Sequence, residues 1–153
     1  MGFRLKHLMN ITIIIPTRNR FHELNRLLLY YKNYKFTGNI FIIDSSQTVI
    51  FQKNRKFLKD FKNKKIKHFR YIGRPFECTK FVANKITTKY VCWSGDDDFY
   101  IVNGLKKSLK IIEKNFNIDA LNGLSLVTKL SKKKSILEII PFTIISNLQM
   151  QNQ

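Results

Sequence analysis

Residues Tyr90 to Tyr100 read YVCWSGDDDFY: an aromatic and β-branched run, a Ser94-Gly95 break, then three aspartates side by side, Asp96, Asp97 and Asp98. The chain carries 10 acidic residues against 28 Lys and Arg among its 153, for a formal net charge of +18, so this one point holds almost a third of its acids. Two like charges about 4 Å apart repel by roughly 1 kcal/mol in water and by several-fold more in a less polar pocket. Adjacent carboxylates therefore raise each other's pKa unless a cation or donor groups compensate. Helix capping explains one Asp, two at most. A bound divalent metal explains the cluster, because hard cations take carboxylate oxygens. The rest of the chain has to decide between them.

Working outward from the aspartates, short β-rich runs alternate with helix-period segments. NITIII, Asn10 to Ile15, reads as a buried strand ended by Pro16. Phe21 to Asn33 places Leu24, Leu27, Leu28 and Tyr31 in one helical stripe. NIFIID, Asn39 to Asp44, is a second strand entered after Gly38, and Thr48 to Lys62 a second helix. Lys67 to Ile72 is a third strand closed by Gly73-Arg74-Pro75, Glu77 to Thr87 a third helix, Tyr90 to Ser94 a fourth strand and Asn103 to Asn115 a fourth helix. Leu121 to Leu130 and Ile136 to Ile145 read as later strands. This β-α-β-α-β-α-β-α order predicts an α/β fold, a mostly parallel sheet with helices on both faces. Ligands of such sheets bind outside the carboxyl ends of the strands. The three polar clusters, Pro16 to Arg20, Asp44 to Gln47 and Gly95 to Phe99, all stand at such ends.

Composition narrows the class further. At 18.2 kDa and 44% hydrophobic residues the chain has enough apolar material for one packed domain. No apolar run approaches the roughly 20 residues of a transmembrane helix, and Pro16 and Arg18 end the first run too soon for a signal peptide. Met1-Gly2 lacks the Ser or Thr at position 6 that myristoylation needs. Cys78 and Cys92 form no metal or disulfide pattern and read as buried free thiols. His7, His22 and His68 lack zinc-ligand spacing. A cytoplasmic protein is expected. The basic excess includes nine Lys or Arg between Lys53 and Arg70 against Asp60 alone, and the run Lys132 to Lys134. It reads first as a solvated helix face, second as a surface for peripheral association with anionic membrane at its inner face. No helix-turn-helix, zinc finger or RNP-like pattern accompanies it, so no specific nucleic acid is expected.

The residues ITIIIPTRNR, then IFIIDSS, then YIGRPFECTKFVANKITTKYVCWSGDDDF resemble a family 2 glycosyltransferase with the Rossmann-like GT-A nucleotide-binding fold. The likeness is to bacterial surface-polysaccharide enzymes with a DDDF motif and runs from about Ile11 to Gly123, where DALNG resembles the strand after the metal site. It implies a lead-in over 1–9, a nucleotide-sugar-binding domain over 10–130, and the start of an acceptor half or a truncated tail over 131–153. It also implies a nucleotide-diphosphate sugar donor, a glycan or lipid-linked acceptor, and Mn²⁺ or Mg²⁺ as cofactor. By position, Pro16, Thr17, Arg18 and Asn19 match the loop that holds base and ribose, and a planar guanidinium at Arg18 can stack where an aromatic often stands. Asp44 matches the acid closing the second strand, with Ser45 where a second acid is frequent. Arg74, Lys80 and Asn84 fall near the nucleotide. Asp96 and Asp97 match the DxD-type motif, with Asp97 the first candidate for direct metal ligand, Asp98 beside it toward the metal and Asp96 toward the nucleotide; Gly95 stands where many members carry the first Asp, so the motif is shifted or shortened here. The cation would stabilise charge on the departing diphosphate.

Plainer readings stand beside these. Asp98 can cap the helix near Asn103, Asp44 can be a turn acid with Ser45 and Ser46, Lys80 can be surface, Asn84 can bond only to backbone, and Trp93 in strand period reads as core. Direct displacement needs a general base, which in the resembling family follows the metal motif. Only Glu113, Asp119 and Glu138 follow Asp98. Glu138 is the candidate base, although an outward-facing strand residue in ILEIIPF is the competing reading. The closing SNLQMQNQ reads as a truncation, so donor binding with little or no transfer is expected. Three functions remain in play: a metal-dependent transferase, a non-catalytic nucleotide-sugar-binding remnant, and a basic nucleic-acid-binding α/β module, which gives no reason for three aspartates.

Overall fold

The computed structural model describes residues 8–115, 117–123, 125–130 and 137–142. It divides into two compact units, Met1–Lys107 and Ser108–Gln153. The first holds β1 (Ile11–Thr17), α1 (Phe21–Asn33), β2 (Asn39–Asp44), α2 (Thr48–Phe61), β3 (Ile66–Arg70), α3 (Pro75–Ala83) and β4 (Tyr90–Trp93), and α4 (Val102–Lys114) begins there and ends in the second. The second contains an antiparallel pair, β5 (Ser125–Leu130) and β6 (Leu137–Phe142), with Leu130 opposite Leu137. The strands of the first unit form one parallel sheet in the order β3-β2-β1-β4. The chain thus steps outward from β1 to β3 and then returns to the other side of β1. The crevice between β1 and β4 is where a doubly wound sheet opens for ligand.

The unbroken apolar runs of β1 and β2 are explained by burial on both faces. Ile13, Ile15, Ile40 and Ile42 point to one face, where Leu24, Leu27, Leu28 and Tyr31 of α1 pack with Phe57, Leu58 and Phe61 of α2 and with Val102 and Leu105. Ile14, Phe41 and Ile43 point to the other, against Cys78 and Val82 of α3. Each such side chain contributes about 1.5–3 kcal/mol when fully buried. Entry to β2 depends on Gly38: a Cβ there would stand 2.7 Å from the Ile11 carbonyl oxygen and 2.6 Å from the Phe36 ring. Cys78 is buried and Cys92 partly so, both as free thiols, and burial pushes the Cys92 thiol up to about 12.

Several boundaries differ from the sequence reading, each for a physical reason. β1 does not stop at Pro16 but continues through it, pairing Pro16 with Ile43 and Thr17 with Asp44. Ile14 accepts from Ser94 N on the β4 side and Thr17 accepts from Ser45 N on the β2 side. By alternation the donorless nitrogen of Pro16 therefore faces the β4 side, where β4 has already ended at Trp93, so no ladder bond is lost. α3 begins two residues early, with Pro75 preset for the first helical turn, and ends at Ala83, before the β-branched Ile86, Thr87 and Thr88. Trp93 is not core: it is 49% exposed on β4, an outer strand of the sheet. Residues 119–123 lie in no strand. The lead-in before Leu8, the Lys132 to Lys134 run and the closing SNLQMQNQ lie outside the described residues.

Candidate functional site

Four loops meet at the carboxyl rim of the sheet, and a cleft of about 170 Å³ opens among them. Its lining is Pro16, Thr17, Arg18 and Arg20 from the β1–α1 turn, Ser45 after β2, Gly73, Pro75 and Cys78 around the start of α3, and Asp96 after β4. The N-terminus of α3 thus borders the cleft, and backbone N–H groups at a helix start favour anions. There Glu77 Oε2 accepts from Arg74 N at 2.6 Å, which fixes the turn into the helix.

The acid cluster is tied to the end of β1 and to the β1–α1 turn by one link each. Thr17 Oγ1 donates to Asp96 Oδ2 at 2.6 Å, a buried contact across the switch point. Arg20 spans two acids, with Nε 3.1 Å from Asp96 Oδ1 and Nη2 2.6 Å from Asp97 Oδ2. Burial raises the Asp96 pKa above its ordinary value, only partly opposed by Thr17 and Arg20. The hydrogen bond to Asp97 raises that of Arg20. Ser94 Oγ donates within the turn to the carbonyl oxygens of Gly95 and Asp98, and Tyr100 OH donates to Trp93 O at 2.6 Å. Asp97 and Asp98 are exposed. Their Oδ1 and Oδ2 lie 3.1 and 2.7 Å from the point that a Cβ on Gly95 would occupy, so both carboxylates fold back over Gly95 and a side chain there would displace them. Among the described residues no group of three or more His, Cys, Asp or Glu is arranged to hold a metal ion. Mg²⁺ commonly takes only one or two carboxylates, completing its shell with water and substrate phosphate. Asp97 and Asp98 fit that pattern.

Behind the cleft lies a second network. Asp44 is fully buried, with Ser46 N donating to Oδ1 at 2.8 Å and Asn54 Nδ2 donating to Oδ2 at 2.8 Å. His68 Nε2 lies 3.0 Å from the same Oδ2. Burial alone would push the Asp44 carboxyl up; the hydrogen bonds of His68, Ser46 and Asn54 outweigh it and hold the group below the usual carboxylate range. Asn19, in the left-handed region at φ 58°, joins this network to the β1–α1 turn. Its N donates to Ser46 Oγ at 2.7 Å and its Oδ1 accepts from Gln47 N at 2.8 Å. Asn is among the few residues that tolerate that backbone. Ser45 Oγ donates to Tyr71 O at 2.7 Å, fastening the β3–α3 loop beside the cleft.

The sequence candidates therefore separate by place. Pro16, Thr17, Arg18 and Asp96 border the cleft, and Arg18 is exposed there. Asn19 and Asp44 stand behind it as supports, with both Asp44 oxygens already engaged. Arg74 is exposed at the N-cap of α3 and Lys80 is exposed farther along it, whereas Asn84 caps the opposite end of that helix. Glu138 lies in β6 of the second unit, opposite Lys129. The sequence reading placed Arg20, Ser45 and Ser46 in the rim loops without giving Arg20 a role, its reading of Asp44 as a turn acid with Ser46 holds, and it missed Asn54 and His68 as supports. Arg20 carried one usable signal, its place at a strand end facing a surplus of acids.

A parallel sheet with helices on both faces and a polar cleft at its switch point defines a Rossmann-like α/β architecture. The fold is similar to the crystal structure of S. aureus TarS 1-349, with a TM-score of 0.60 and 15% sequence identity. That likeness covers 80% of this chain and 42% of that one. At that identity the likeness shows the fold alone. No family model and no curated protein matches the sequence. Among the described residues no helix is long and apolar enough to cross a membrane.

Proposed function

We propose that the chain is the donor-binding part of a metal-dependent glycosyltransferase of the family 2 type, taking a nucleotide-diphosphate sugar for transfer to a glycan or lipid-linked acceptor in cell-surface glycan synthesis. One observation carries the reading: the Thr17–Asp96 hydrogen bond and the Arg20 bridge to Asp96 and Asp97 gather the acid motif at the mouth of the β1/β4 crevice. In this assignment Pro16, Thr17 and Arg18 form the wall for base and ribose, with the Arg18 guanidinium free to stack. The diphosphate lies toward the N-terminus of α3 and Arg74, where backbone dipoles and a cation meet its charge. Asp97 and Asp98 would hold Mn²⁺ or Mg²⁺, which when bound supplies Lewis-acid stabilisation of the diphosphate leaving group. Asp96 orients the loop through Thr17. Asp44 acts from behind by fixing Ser46 and, through it, Asn19. The glycan acceptor and a general base, with Glu138 as candidate, belong to the proposal for the whole protein, as does cytoplasmic placement with peripheral association at an anionic membrane.

A panel of nucleoside mono- and diphosphates, titrated calorimetrically with and without Mn²⁺, tests the reading. The expected result is a diphosphate that binds about 100-fold more tightly with Mn²⁺, a gain of about 2.8 kcal/mol. Salt-sensitive binding of oligonucleotides with no response to nucleoside diphosphates would contradict it.

A further inference from the structure

We infer that Arg20 is an internal stand-in for the divalent cation, neutralising Asp96 and Asp97 in the ligand-free protein and turning to the diphosphate when metal and nucleotide enter together. This rests on the proposed function and adds a coupling device to it. Three adjacent carboxylates repel one another unless compensated, and the guanidinium supplies the compensation, touching Asp96 at 3.1 Å and Asp97 at 2.6 Å.

The bridge is built to open on one side. The side chains of Arg20 and Asp97 are 44% and 47% exposed, and ion pairs so open to water are weakly held. Asp96 is 6% exposed at its side chain and keeps the Thr17 hydroxyl at 2.6 Å when the arginine leaves. Asp96 is therefore not stranded by the exchange. Arg20 also lines the cleft beside Arg18, so the guanidinium already borders the space that a diphosphate would enter. The planar guanidinium matches phosphate oxygens with paired donors, a better partner than a single solvated carboxylate. Asp97, once released, stands with Asp98 beside Gly95, where oxygens of both carboxylates already come together.

A metal ion arriving alone must compete with Arg20, whereas one arriving with a diphosphate finds the arginine a new partner. Metal and nucleotide binding are thereby coupled, and the coupling is reciprocal. Manganese binding by the purified chain, read from the electron paramagnetic resonance of free Mn²⁺, tests this directly in wild type, Arg20→Gln and Arg20→Lys. Arg20→Gln is expected to bind Mn²⁺ alone about tenfold more tightly than wild type. It should also show a smaller rise in Mn²⁺ affinity on adding saturating nucleoside diphosphate, and Arg20→Lys should fall between the two forms. Mn²⁺ binding that is equal or weaker in Arg20→Gln, with wild type still binding metal and diphosphate together, overturns this inference and leaves the proposed function standing. Absence of Mn²⁺ binding in all three forms, with or without diphosphate, overturns both.

Discussion

Asp44→Ala is expected to cost the parallel-sheet unit about 3–5 kcal/mol, the usual effect of removing one partner from a buried polar network. Asp44 is fully buried, and its loss leaves Ser46 N, Asn54 Nδ2 and His68 Nε2 without this partner. Domains have only about 5–15 kcal/mol of stability in total, so urea unfolding followed by circular dichroism should show a large fall in midpoint. A change under about 1 kcal/mol would contradict the account of this network. The same group sets an acid limit. Its folded pKa is lowered relative to an unfolded value of about 3.9. The stabilisation is therefore present above pH of about 4 and is lost as pH falls through the folded value. Asp44→Asn should flatten that part of the stability profile.

Asp97→Ala is expected to abolish the metal effect on nucleotide binding. The Mn²⁺-dependent gain of about 100-fold should shrink to within about twofold of unity, a loss of roughly 2.4 kcal/mol. The reason is geometric. Asp97 is exposed and stands with Asp98 beside Gly95, whereas Asp96 is buried against Thr17 and Arg20. Calorimetric titration of wild type and variant at one ionic strength measures the difference. Equal Mn²⁺ enhancement in both would remove Asp97 from the metal site.

Much of the fold was legible because β1 and β2 are buried on both faces, which writes ITIII and IFII as unbroken apolar runs between helical stripes. Leu24, Leu27, Leu28 and Tyr31 fall where a 3.6-residue period puts them, and all four are buried. Edges were harder. Val91 and Trp93 look like core by composition, yet β4 is an outer strand and leaves both about half exposed. Pro16 reads as a terminator unless one knows which neighbour its missing donor faces. For the site, strand-end position alone located the three rim loops. The turn between Asp44 and Ser46 was legible as well, but not that Asp44 is also spent on Asn54 and His68, because Asn54 sits on α2 and His68 on β3. Arg20 escaped for a similar reason: its partners lie 76 and 77 residues away.

The proposed function requires a metal–diphosphate in the crevice between β1 and β4. Backbone amide resonances recorded with substoichiometric Mn²⁺ and a saturating nucleoside diphosphate test it most directly, through paramagnetic broadening that falls with distance from the ion. The account predicts selective loss of Thr17, Arg18, Gly73 and Gly95 to Phe99, with Lys80 to Ile86 at the far end of α3 retained. Uniform broadening across the basic surface from Lys53 to Arg70, or none at Gly95 to Phe99, would contradict it.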